Sequence, residues 1–182
     1  MIHRAFLTAV AALFALTLFA PAPAKAADAP TIGIVDVEYI LAQSKAAQSL
    51  QKQIQAKKEA FQKEFSAKEK ELKTTENSLL AEQGKVTAEE FAKKRKAYEE
   101  KIIETQKLFK KRRGALDDGL ANAMKELRKN IVEATTAVAS EKKYDIVVTR
   151  ESVLIAEKNL DITPEVLKAL DAKITDIKLT VQ

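Results

Sequence analysis

The sequence contains no cysteine and a single histidine, His3. Without cysteine there is no thiol nucleophile and no disulfide. The histidine belongs to a leader. Met1-Ile2-His3-Arg4 is a short basic start, and Ala5 to Ala20 is apolar apart from Thr8 and Thr17. Ala24-Lys25-Ala26 places small residues at the two positions that determine cleavage. Residues 1–26 are therefore read as a Sec-type signal peptide cut after Ala26, which sends the mature chain to the periplasm. The apolar run is short for a bilayer span, which argues against a retained anchor. The mature chain then has neither imidazole nor thiol, and lacks the usual general base, metal ligand and sulfur nucleophile. Carboxylates remain, but no Asp/Glu pair sits in a pocket-forming context. No Gly-rich phosphate loop occurs. Neither an enzyme nor a metal or cofactor site is expected.

Proline is scarce as well. None occurs between Pro30 and Pro164, so nothing of that kind breaks a helix across the span. The stretch from about Glu38 to about Lys143 reads as one antiparallel pair of long helices, folded over at Glu82-Gln83-Gly84-Lys85-Val86. Gly84 can close the first helix in the left-handed conformation. Thr87-Ala88-Glu89-Glu90 then reads as a capping box, with Val86 and Phe91 at staple spacing around it. Apolar residues recur at threes, fours and sevens on both helices, thinly near the turn and densely near the chain ends. Helical stability comes mostly from such packing, so the tip is expected to be weakly held. Gly114 and Gly119 mark either a bend or a close approach.

The ends of the chain supply a body. Thr31-Ile32-Gly33-Ile34-Val35-Asp36-Val37 reads as a strand that enters a helix near Asp36. Tyr144 to Thr149 is read as a second strand and Val153 to Ala156 as a third, the two forming a hairpin. Thr163-Pro164-Glu165 opens a last helix, with Thr163 as N-cap and an apolar face of Val166, Leu167, Leu170 and Ile174. Three short strands and one helix make a poor core for two such helices. Exposed strand edges on so small a sheet invite pairing with other copies.

Charge is asymmetric. Loss of Arg4 and Lys25 with the leader leaves 29 basic against 26 acidic side chains, net +3. From Lys45 to Arg113 there are 19 Lys and Arg against 11 acids, net +8. The rest of the mature chain carries 10 against 15, net −5. The arms therefore favour acidic partners. Nucleic acid is not expected, because an exported protein rarely meets it.

Signal peptide, Ile32-Gly33-Ile34-Val35-Asp36, long charged hairpin, Tyr144-Asp145-Ile146-Val147-Val148 and Asp161-Ile162-Thr163-Pro164-Glu165-Val166 occur in this order along the whole mature chain. In that succession the sequence resembles the Skp/OmpH family of periplasmic chaperones. The resemblance implies an α+β, mainly α fold, in which a long helical hairpin projects from a small β-strand body completed by trimerisation. It implies a homotrimer whose arms surround a cavity. There, unfolded outer-membrane β-barrel proteins would be held without ATP and kept from aggregating. The arm is placed at residues 44–114, and the body at 27–43 and 115–182.

Candidate residues follow. The basic runs Lys93, Lys94, Arg95, Lys96 and Lys110, Lys111, Arg112, Arg113 are assigned to acidic clients, with a solvated helix face as the alternative. Lipopolysaccharide or anionic lipid is a further partner that these runs admit. The resemblance suggests a lipopolysaccharide site on the arms, but Asp117 and Asp118 follow Arg112 and Arg113 closely and leave it unplaced. Phe61, Phe65, Leu72, Leu79, Phe91 and Tyr98 either touch clients or hold the two helices together, the commoner meaning of helix-spaced apolar residues. Ile32, Ile34, Val35, Ile146, Val147, Val148, Leu154 and Ile155 are assigned to the body core and subunit contacts. The rival reading is a structural coiled-coil adaptor or strut in the envelope. A surface-lying lipid binder wants a broad apolar face opposite the lysines, which such evenly charged arms do not provide.

Overall fold

The computed structural model describes residues 29–181. The leader read at 1–26 lies outside them. From Thr31 the order is β1 (Ile32–Val35), α1 (Val37–Gln43), α2 (Lys45–Glu82), α3 (Ala88–Lys142), β2 (Ile146–Thr149) and α4 (Thr163–Lys173). Single 3-10 turns at Arg150–Ser152 and Lys158–Leu160 lie between β2 and α4. The helical hairpin is present. At 1.5 Å per residue, α2 is about 57 Å long and α3 about 83 Å.

Its turn forms as the residues dictate. Gly84 has φ 77°, in the region where glycine alone is unstrained. The Thr87 hydroxyl accepts from Glu90 N at 3.2 Å, and Thr87 N donates to the Glu90 carboxylate at 3.2 Å. The box satisfies donors that the first turn of α3 leaves open. At its other end α3 stops on Lys143, a non-glycine residue at φ 58°. Tyr144 N closes the turn onto Ala139 O at 2.9 Å.

The first arm helix is interrupted, contrary to the unbroken reading from Glu38. Ser44 is extended at φ −63° and ψ 147°, so it ends α1 and caps α2. No proline or glycine is needed. The Ser44 hydroxyl accepts from Ala47 N at 3.3 Å, and the residue is wholly buried. The two glycines of α3 divide between the alternatives. A Cβ on Gly119 would lie 2.4 Å from Thr180 O, so Gly119 serves a close approach. Gly114 faces open space.

The sheet departs from expectation. β1 and β2 pair in parallel, Ile32 with Ile146 through Val35 with Thr149. Parallel neighbours need a long crossover, and the helical hairpin is that crossover. The third strand and its hairpin do not form: Val153–Ala156 has no strand geometry, and Leu154 and Ile155 are 97% and 88% exposed. The other edge of β1 meets the chain before α4 instead, with Ile162 N donating to Ile34 O at 2.9 Å. Thr163 also acts otherwise than expected. Its hydroxyl accepts from Asp36 N at 2.9 Å, while Thr163 N donates to Asp161 Oδ1 at 2.9 Å. It ties the end of β1 to α4 rather than capping its own helix.

The core lies in the body and the arm roots. Ile40, Leu50, Leu127, Ile131, Ile162, Val166 and Leu170 are each at most 2% exposed. Along the arm, the last residues packed on this cluster are Ile54 and Leu116.

Candidate functional site

Beyond the core the arm is a thin seam. No residue from Gln51 to Glu104 is fully buried. Half-buried positions on α2 run Phe61, Glu64, Lys68, Glu71, Leu72, Thr75, Leu79 and Glu82, at spacings of three and four. Facing them on α3 are Phe91, Tyr98, Lys101, Ile102, Leu108 and Phe109. The seam therefore mixes apolar and charged side chains. Glu71 lies 2.9 Å from the Lys68 ammonium and 2.7 Å from that of Lys101 across the arm. Those two partners, Lys101 foremost, pull its carboxyl down to about 2. Arg112 lies 3.6 Å from Glu64, and Lys94 pairs with Glu82.

The six apolar arm candidates sort accordingly. Phe65 stacks against Phe109 across the arm, and Phe61 lies under the Arg112 guanidinium. Both touch the opposite helix of the hairpin. Leu72, Leu79, Phe91 and Tyr98 are half-buried. Near the turn the helices part around an open cleft of about 500 Å³, lined by Leu79, Tyr98, Thr74, Thr75, Lys94 and Lys101.

The eight basic candidates are all exposed, on α3. Half of them are tied. Lys94 and Arg112 reach across the seam, while Arg95 lies 3.5 Å from Glu99 and Lys96 4.0 Å from Glu100 one turn on. Such exposed pairs hold their members loosely. Lys93, Lys110, Lys111 and Arg113 make no ion pair among the described residues. Lys110 and Lys111 border a shallow depression shared with Lys107 and Asp118. The pairs Arg95–Glu99 and Lys96–Glu100 are visible as sequence spacing, whereas those of Lys94 and Arg112 depend on which acids the opposite helix presents at the same height.

The body candidates fall into two sets. Ile34 and Val35 are buried within one chain, and Val147 and Val148 are half-buried. Ile32 and Ile146 are 39% and 46% exposed, and Leu154 and Ile155 stand almost bare. Leu154 and Ile155 are thus no part of the core of a single chain. Beside β2 runs an apolar groove of about 490 Å³ whose lining includes Val35, Ile131, Val132, Tyr144, Val147 and Val148. Val132 in that groove is 64% exposed. Around the sheet, Thr31 N donates to the Asp145 carboxylate at 2.8 Å and holds it below the usual range. Among the described residues no group of three His, Cys, Asp or Glu is placed to hold a metal ion.

No curated protein matches the sequence. The fold is similar to that of a crystal structure from Caulobacter crescentus CB15, named as a candidate outer membrane chaperone (OmpH-like). The match has a TM-score of 0.79 at 17% identity, over 91% of this chain and 97% of the other. A family model described as outer membrane protein (OmpH-like) matches residues 31–170. With its parallel two-stranded body and its long helical hairpin, the chain belongs to the OmpH-like family.

Proposed function

We propose that this chain is a non-enzymatic, ATP-independent holdase chaperone of the periplasm. Three copies join through their small sheets, and unfolded outer-membrane β-barrel proteins are held between the arms and kept from aggregating. The body is formed by 27–43 and 115–182, and the arm by 44–114. The observation that carries the reading is a long arm of thin packing whose α3 exposes Lys93, Lys110, Lys111 and Arg113, none of them in an ion pair among the described residues. A positive field on an extended arm speeds capture of acidic chains, and the scarcity of broad apolar surface keeps their retention weak enough for release. The OmpH-like membership and the similar solved structure, named for an outer membrane chaperone role, support the same reading.

Assembly rests on the open edge of β2. A sheet of two strands is marginal alone, and an unpaired edge beside an apolar groove is a pairing site. Leu154 and Ile155 are the apolar side chains that such pairing would cover. Basic residues of the arm also admit lipopolysaccharide or anionic lipid as a secondary partner.

Light-scattering mass on a sizing column tests the proposal, with mature protein alone and mixed with a denaturant-diluted outer-membrane barrel. A mass of three chains that gains one soluble client is the expected result. Aggregated client beside an unchanged peak would overturn the holdase reading in favour of an envelope strut.

A further inference from the structure

Lys45, Ser49 and Gln53 are four residues apart and share one face of α2. Each is held by the chain at or after the end of α4. Lys45 N donates to Asp171 Oδ1 at 2.8 Å, and the Ser49 hydroxyl donates to Asp176 Oδ1. The Gln53 amide nitrogen donates to Asp176 Oδ1 and to Ile177 O, both at 2.9 Å. Its amide oxygen accepts from Leu179 N at 2.9 Å. One side chain thus pairs with the backbone of residues 177 and 179 as a neighbouring strand would. Ile177 and Leu179 are buried, while Lys178 and Thr180 alternate outward or against backbone. On α3, Gly119 leaves the space that Thr180 O occupies.

These contacts begin one residue beyond the break at Ser44 and continue along the first turns of α2. α3 runs without interruption from arm to body, whereas α2 meets the body at the extended Ser44. A helix joined through one extended residue takes its direction from what holds its first turns, here Ala46 and Leu50 in the core together with the contacts to residues 171–179.

We infer that residues 171–181 form a bracket that fixes the pitch of the arm on the body. The bracket grips α2 through Lys45, Ser49 and Gln53 and seats against α3 at Gly119. Loosening it lets the root of α2 shift about Ser44, so that the pitch of the arm is then held only by continuous α3 and the core contacts of Ala46 and Leu50. In the assembly the bracket therefore sets how widely the arms part, and with it the size of client admitted. That last consequence rests on the holdase reading, but the mechanical role does not.

The absence of cysteine allows clean labelling of the full mature chain at Lys168→Cys on α4 and Thr74→Cys near the arm tip. Spin-label distances, with labelled chains diluted by unlabelled ones, report the arm angle. Amide exchange reports the hold on residues 45–57. Gln53→Leu keeps the bulk of the side chain and removes its backbone pairing, and Gly119→Ala displaces Thr180. Expected are a broader distance distribution and exchange about tenfold faster in 45–57 for each, at unchanged helical circular dichroism. An unchanged distribution and unchanged exchange would overturn the inference. Should Gly119→Ala fail to fold, Gln53→Leu decides alone. Neither readout involves a client, so failure of the holdase reading would leave them standing.

Discussion

The rings of Phe65 and Phe109 meet across the arm with centroids 4.5 Å apart and planes inclined at 58°. A few ångströms along, the Arg112 guanidinium lies 5.8 Å from the centre of the Phe61 ring and reaches Glu64. This aromatic contact stands between the core at the root and the polar seam toward the tip. Phe65 is still 36% exposed, so its loss does not empty a sealed core. Phe65→Ala should cost about 1–2 kcal/mol, locally rather than globally. Amide exchange is expected to quicken in 58–72 and 102–116 while the body around Leu127 and Val166 stays protected. Equal acceleration in the body would mean that arm and body unfold as one unit.

Glu71 makes the mid-arm seam sensitive to acid. Its carboxyl is pulled down to about 2 by Lys101 and Lys68, against an ordinary carboxylate value near 4.5. A group whose pKa falls on folding contributes stability that is present above its unfolded value and lost as pH falls through its folded one. The Glu71 contribution is therefore complete near neutrality and fades between about 4.5 and 2. Side-chain carbonyl titration by NMR should show Glu71 still ionised well below the ordinary carboxylate value. Glu71→Gln should remove the acid-dependent part of the seam's opening and leave its neutral-pH helicity nearly unchanged.

Much of this arm is legible in the sequence. Gly84 and the Thr87–Glu90 box are local devices, and a stripe that thins toward the turn is a direct count of apolar residues. What stayed hidden depends on partners. Ser44 breaks the first helix with a residue that is unremarkable in a helix sequence until its hydroxyl is seen capping Ala47 N. Leu154 and Ile155 have the composition of a buried strand whether another copy or their own chain covers them. The parallel pairing of β1 with β2 follows from where the helices return the chain, which no short motif encodes. The alternation of Ile177, Leu179 and Val181 is a legible strand period, but it follows directly on Ile174, whose spacing also fits the apolar face of the last helix. Residue 174 instead terminates α4 in an extended conformation.

The unpartnered cations should act on rate more than on affinity. Lys93, Lys110, Lys111 and Arg113 are exposed and make no ion pair among the described residues, so their replacement leaves the seam intact. A variant with all four changed to Gln should keep its thermal midpoint. Capture of an acidic unfolded barrel protein should slow by about tenfold at low salt. Above about 0.5 M salt the two proteins should converge, because exposed charges are screened beyond a few ångströms. Stopped-flow fluorescence of a labelled client across a salt series measures this. A slowdown that persists at high salt would mean that the four side chains contact the client directly rather than steer it.

The bare apolar pair beyond β2 separates folding of the chain from its assembly. Leu154 and Ile155 are almost fully exposed, so placing Asp at both positions removes little that a single chain buries. Surface changes of this kind usually move stability by less than about 0.5 kcal/mol. If copies meet through the open edge of β2, the same two carboxylates would be forced into an apolar contact, and a buried unpaired charge is severely unfavourable. Leu154→Asp with Ile155→Asp is therefore expected to lower the scattering mass to that of one chain while helical circular dichroism holds. A conservative pair, Leu154→Met with Ile155→Val, should keep the assembled mass. Retention of the full mass by the Asp variant would place the subunit contact elsewhere on the body, the exposed Ile32 and Ile146 being the next surface to change.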